Sequence, residues 1–352
     1  ILFGFFSRVL VGCIFLYTYC QLILRYLNIS FRMSFKAFQY NAQNIIVNGL
    51  LKLIIIFAAL INNNFLFVLS ILSIGIALVL IVYLYVQRRD ILPIRNGRTD
   101  WALNMNGFRP FFRFALFSSP TYIVTYSNLY FGQQIVVSFL GAYALGIFAS
   151  TSIFTQLVSS VRNGFATYWT AYVYKSYKED NSKIQQMHNF VLAFAVLFVC
   201  AIVSFRDLIY LFIGENFHES KNFFSLMMIM PILGFVQETT DKGISIMQKN
   251  EYFLYISSFA VIINIVVSIM LVKLIGLTGA AIGNAFSALF IYIFSTILGQ
   301  KLYKSVPSRK KSVIGIVLIL CILIAPCLLA DVIFIHLLII LFLILSFSVF
   351  KS

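Results

Sequence analysis

The sequence predicts an all-α, polytopic integral membrane protein, on three observations. Of 352 residues, 61% are hydrophobic and only 11% are charged, whereas a water-soluble domain keeps about a quarter of its residues charged. The mean hydropathy is +0.96. The apolar residues gather into runs of about 20, enough for a helix to cross roughly 30 Å of hydrocarbon. None of these runs alternates with the period of two that a membrane strand requires.

Eleven such runs follow one another, at about 2–24, 42–61, 65–86, 111–133, 141–163, 188–212, 222–247, 252–274, 279–300, 313–330 and 332–350. The hinges are short and polar: "INNN" at 61–64, "KNEY" at 249–252 and "GLTG" at 276–279. Alternating the spans places 21 of the 26 basic residues near one set of loops. By the positive-inside rule that set is cytoplasmic. The net charge of +15 therefore reflects topology, and no nucleic-acid partner is expected. The chain begins at Ile1 inside an apolar run, which reads as an N-terminal truncation.

Several spans carry polar residues at helical spacing. Asn41, Asn44, Asn48 and Lys52 share one face of the second span. Ser119, Tyr122, Tyr126, Tyr130 and Gln133 do so in the fourth, and Ser152, Gln156, Ser159 and Asn163 in the fifth. Glu238 and Asp241 lie in the seventh, and Asn264 and Ser268 in the eighth. Isolated Ser or Asn residues serve as interhelical glue, at about 0.6 kcal/mol per contact. A charge at a helix centre costs about 2.5–3.5 kcal/mol, so it implies a partner, a cavity or snorkelling. A shared polar cavity would accommodate Lys52, with Arg8 and Arg113 as further cations suited to phosphate or pyrophosphate. The amides and the tyrosine ladder suit sugars, although interfacial aromatic belts are common. Glu238 and Asp241 are candidates for ion coupling, or simply neutralise Lys242.

No catalytic residues, cofactor or metal site are expected. The three histidines, His188, His218 and His336, are far apart, with no ligand neighbour at i+3 or i+4. The five cysteines lie in apolar runs without CxxC spacing. There is no phosphate-binding loop of the GxxxxGK[ST] type, and the external loops are too short for a polymerase domain.

The segment "IINIVVSIMLVKLIGLTGAAIGNAFSALF" resembles the late-helix hairpin of polysaccharide (O-antigen) flippases. These belong to the multidrug/oligosaccharidyl-lipid/polysaccharide exporter superfamily. Gly279 and Gly283, one turn apart, would let the two helices of this hairpin approach closely. "LILRYLNISFRMSFKAFQYNAQNIIVNGLLKL", "GAYALGIFASTSIFTQLVSSVRNGFATYWTAYVYKSYKE" and "LIYLFIGENFHESKNFFSLMMIMPILGF" resemble further segments of the family, in order. The resemblance implies a two-lobed bundle with about 14 helices in the full-length protein. Residues 1–86 would then be the rest of the N-terminal lobe and 87–110 a basic cytoplasmic inter-lobe loop. Residues 111–300 would form the six-helix C-terminal lobe, and 301–352 two additional helices. It also implies alternating-access flipping of undecaprenyl-pyrophosphate-linked oligosaccharide in a bacterial cytoplasmic membrane, for O-antigen or capsule. Membrane lipids and the polymerase and chain-length machinery would be partners. "FGQQIVVSFL" departs from the family, with Gly132, Gln133 and Gln134 where many relatives have an acid. A cation-coupled multidrug exporter of the same superfamily is the alternative.

Overall fold

The computed structural model describes residues 2–33, 37–47, 51–62, 64–88, 105–178, 181–211 and 213–328, all α- or 3-10-helical or in short connections. The chain divides into two compact units, 1–103 and 104–352.

In the first unit, α1 (Leu2–Met33), α2 (Ala37–Ile45), α3 (Leu51–Ile61) and α4 (Phe65–Val86) follow in order. Cys20, Leu24 and Leu27 of α1 meet Leu51, Ile76 and Leu80 in a small core. Two amides reinforce it, Gln43 Nε2 donating to Leu24 O at 2.9 Å and Gln87 Nε2 to Leu27 O at 3.1 Å. The polar "INNN" hinge is a helix cap: Asn64 Oδ1 accepts from Leu66 N at 3.0 Å, satisfying one of the amides a helix start leaves free.

The second unit begins with α5 (Met105–Ser176). At 1.5 Å per residue these 72 residues would reach about 108 Å, over three times the hydrocarbon thickness. The helix turns instead at Gly141, whose φ of 86° and ψ of 177° are open almost only to glycine. Residues 105–140 and 142–176 are thus two elements, as the separate runs at 111–133 and 141–163 predicted. No atom lies within 4 Å of a Cβ added there, so Gly141→Ala meets backbone strain alone. The expected loss is about 1–3 kcal/mol, read as a lower unfolding temperature in detergent.

Beyond α6 (Asn181–Ser204) and the short α7 (Arg206–Tyr210), a 3-10 helix at Glu215–Asn222 leads into α8 (Phe224–Thr240). Asp207 pairs here with Lys221 at 2.9 Å. Partial burial works to raise its carboxyl pKa, but the hydrogen bond and charge of Lys221, with Arg206, outweigh it and hold the pKa below its ordinary value. A depressed carboxylate stabilises the fold above its unfolded pKa of about 3.9 and loses that contribution as pH falls through the folded value. Asp207→Asn should therefore lower stability slightly at neutral pH and make no difference in strong acid, as paired thermal melts would show.

Every residue of α8 except Met230 is buried. It forms the centre of the unit, with α5, α6, α11 (Leu277–Leu302) and α12 (Arg309–Leu328) against it. After a break at Asp241 come α9 (Lys242–Ile246) and α10 (Glu251–Ile275). The α10–α11 hairpin turns at Gly276, φ 62°. A Cβ on Gly279 would strike the Leu271 carbonyl and lie 2.6 Å from Val272 N; one on Gly283 would strike Ser268 Oγ. Gly279 and Gly283 are there for close helix approach, as their spacing predicted, while Gly276 makes the turn.

Seven described helices are long and apolar enough to cross a membrane, and the bent pair Glu215–Asn222 with Phe224–Thr240 makes an eighth. The sequence count of eleven differs for identifiable reasons. The fourth and fifth runs meet at the Gly141 kink without an intervening loop and count once among the seven, and α3 has only 11 residues. The run at 332–350 lies outside the described residues. The chain is a multi-pass helical membrane protein.

Candidate functional site

Among the described residues of the second unit, the charged side chains that are buried gather at the C-terminal end of α8. A helix end leaves its last carbonyls without intrahelical partners, and at membrane depth these must be satisfied from within the protein. Three side chains do this. Trp169 Nε1 donates to Glu238 O at 3.0 Å, Ser305 Oγ to Thr239 O at 2.7 Å, and Gln300 Nε2 to Thr240 O at 2.7 Å. Behind them, His188 Nδ1 lies 2.7 Å from Thr239 Oγ1, and its Nε2 lies 3.2 Å from Ser312 Oγ. Thr239 already donates its hydroxyl hydrogen to Val236 O. His188 Nδ1 is therefore the donor, and a neutral ring accepts from Ser312 at Nε2.

Four charged groups meet at this end. Arg162 donates from Nε and Nη2 to Glu238 Oε1 at 3.1 and 2.9 Å. Lys242 Nζ donates to Glu238 Oε2 at 2.7 Å and lies 4.0 Å from Asp241 Oδ1. Gln237 Nε2 donates to Asp241 Oδ2 at 3.0 Å, while Asp241 Oδ1 has no hydrogen-bond partner. Two cations and two anions cancel, which reduces the cost of desolvating them together. Arg162 reaches the site by lying across Gly234, where a Cβ would come within 2.8 Å of its Nη1.

Glu238 and Asp241 are thus brought together, and Lys242 serves them both. Arg162, counted from the sequence only among the basic loop residues, is the partner that was missed. Its signal lay in the apolar pattern: Val158, Arg162, Phe165, Trp169 and Val173 recur at spacings of four and three, one helical face. That face packs toward α8, with Val158, Trp169 and Val173 buried.

The remaining predicted residues lie elsewhere. Tyr122, Tyr126 and Tyr130 project from α5, 66%, 61% and 63% exposed, and Gln156 is also exposed. Asn48 lies outside the described residues, as do the side chains of Arg8, Asn41, Asn44, Lys52 and Arg113.

A second polar cluster ties α5, α10 and α11 together. Asn264 Nδ2 donates to Asn128 Oδ1 at 2.8 Å and to Asn284 Oδ1 at 3.0 Å, and Ser268 Oγ donates to Asn264 Oδ1 at 2.9 Å. Asn128 Nδ2 closes the group on Ser287 Oγ at 2.9 Å. These bonds are mutual, the form that interhelical polar contacts take in a membrane. Asn264→Leu removes the two that cross between helices, to Asn128 and Asn284, at about 0.6 kcal/mol each, an expected loss of about 1 kcal/mol. Comparing the denaturant midpoints of variant and parent would measure it.

Comparison with family models, curated proteins and solved structures finds no match to this chain. Fold and site together define a polytopic helical membrane protein with a neutralised charge network at the end of a broken helix.

Proposed function

We propose that this chain belongs to a flippase that moves lipid-linked oligosaccharide across a bacterial cytoplasmic membrane for surface polysaccharide synthesis. The observation that carries this reading is the break between α8 and α9, where Glu238, Asp241, Lys242 and Arg162 converge. Broken spans with ionisable side chains mark substrate and ion pathways in transporters, because irregular backbone and charge at membrane depth need internal partners. The exposed stripe of Tyr122, Tyr126 and Tyr130 offers sugar rings an apolar face and a hydroxyl on each residue. By the positive-inside reading the α8 break would lie toward the cytoplasmic end of its span, where a flippase would load its substrate. Of the two acids, Asp241 is the coupling candidate, since it keeps one oxygen free of hydrogen bonds.

A cation-coupled exporter of small drugs is the weaker reading. Such a cavity needs acids available to a cationic guest, whereas both oxygens of Glu238 are engaged by Arg162 and Lys242, and the free oxygen of Asp241 already has the Lys242 ammonium 4.0 Å away. Depleting the full-length protein from cells tests the proposal. Lipid-linked oligosaccharide should accumulate on the cytoplasmic face while surface polymer falls. Normal surface polymer without accumulation would sink the flippase reading and leave small-molecule export.

A further inference from the structure

Residues 118–122 of α5 and the segment joining α9 to α10 enclose a cleft of about 150 Å³, lined by Ser118, Thr121, Tyr122, Ser245, Asn250 and Phe253. Five of these six side chains carry a hydroxyl or an amide, and none carries a charge. Asn250 is only 6% exposed. Its Nδ2 donates to Ser118 Oγ at 2.9 Å, and its Oδ1 has no partner. A buried amide oxygen left unpaired is costly, and native proteins rarely leave one without a water or ligand donor. Ser118, accepting from Asn250, still has its own hydroxyl hydrogen to give. Thr121 donates to Phe117 O at 2.7 Å, which leaves its oxygen free to accept.

The wall thus offers donors and acceptors within a small volume. That combination suits a group of hydroxyls, each of which both gives and takes a hydrogen bond. Rotating the Asn250 amide by half a turn exchanges its donor and acceptor ends, and Ser118 can serve either, so the pair adapts to the hydroxyl it meets. Without a basic residue the wall has no attraction for phosphate, and without a carboxylate none for a cation. At roughly 30 Å³ per water the cleft equals about five waters, room for one monosaccharide ring. A drug-sized ligand needs about 300 Å³ or more. Phe253 and Tyr122 supply the aromatic surface that a pyranose face covers.

We infer that this cleft is a subsite for one uncharged sugar unit, resting on the flippase reading for its biological ligand. By the positive-inside reading it opens on the side holding Lys242 and Lys249, where an oligosaccharide would first be gripped.

The test is saturation-transfer NMR on the purified full chain in detergent. The probes are methyl α-D-glucopyranoside, methyl α-D-galactopyranoside and N-acetylglucosamine. At least one probe should receive saturation. The signal should weaken about fivefold, the loss of one hydrogen bond, in Ser118→Ala and Thr121→Val. Both substitutions preserve volume closely enough to keep the fold, and Tyr143→Phe, on an exposed residue outside the cleft, should leave the signal unchanged. No transfer from any probe would mean that the cleft holds only water, and would overturn the subsite. Transfer equal in all variants would place the sugar elsewhere and overturn it too. Depletion reports separately on the parent reading. Normal surface polymer alongside Thr121-dependent transfer would remove the flippase and keep the site. Accumulated lipid-linked oligosaccharide without transfer would do the reverse.

Discussion

Glu238→Ala is expected to destabilise the protein by roughly 3–5 kcal/mol, the cost of removing the shared partner of a buried ion pair. Arg162 and Lys242 both bond to that carboxylate, and Lys242 has a side-chain exposure of only 11%. Lys242 keeps only the longer contact to Asp241 Oδ1 at 4.0 Å, too long for a hydrogen bond, in place of its 2.7 Å bond to Glu238. The paired variant Glu238→Gln with Lys242→Met should recover most of the loss. It removes one charge of each sign, and Arg162, 35% exposed, can turn toward water. Thermal unfolding of the three proteins in detergent decides the matter. A loss below about 1 kcal/mol for Glu238→Ala would place the pair with weak surface bridges and remove the network from the account of the site.

Gly243→Ala should be comparably damaging, for a steric reason. A Cβ at Gly243 falls on the carbonyl oxygen of Gly299 and lies 2.8 Å from Tyr303 N. These are backbone atoms and cannot swing aside. From the other direction, a Cβ on Gly299 would come within 2.6 Å of Thr240 O. Here α9 and the end of α8 touch α11 backbone to backbone. Parting them would also stretch the Gln300 bond to Thr240 O. Overpacking costs about 1–3 kcal/mol, and the loss of that cap adds about 1 kcal/mol. The same substitution at Gly164, where nothing lies within 4 Å, should be neutral or slightly stabilising, since alanine favours the helix. Expression level and melting temperature of the two alanine variants, side by side, check the contrast.

What could be read from the sequence follows from what each signal depends on. Apolar length and loop charge are local properties, so most spans and a consistent orientation could be assigned directly. The hairpin at Gly276–Gly283 was readable because small residues one turn apart have few other uses in a membrane helix. Breaks were harder. α8 stays largely apolar up to Val236, and its run continues to residue 247, so nothing local shows that the helix stops at Thr240. The stop depends on side chains from α5, α11 and the segment at Ser305, far away in sequence. The tyrosine stripe of α5 does share one exposed helical face, but a face does not say what it meets. Asn128 lies two residues from both Tyr126 and Tyr130, about 200° around the helix. The tyrosines are exposed while Asn128 is buried among α10 and α11. The more visible stripe was read, and the residue that anchors the bundle faces the other way.

The Arg162–Glu238 pair also has a consequence in time. Its partners are 76 residues apart, and a ribosome adds about 5–20 residues per second. Arg162 therefore leaves the ribosome about 4–15 s before Glu238 exists to neutralise it. For that interval the 142–176 segment carries a cation that has no carboxylate partner and is held toward water by snorkelling. The contact is thereby ordered in time: the segment after Gly141 gains its counter-charge only with the carboxylate of a later helix.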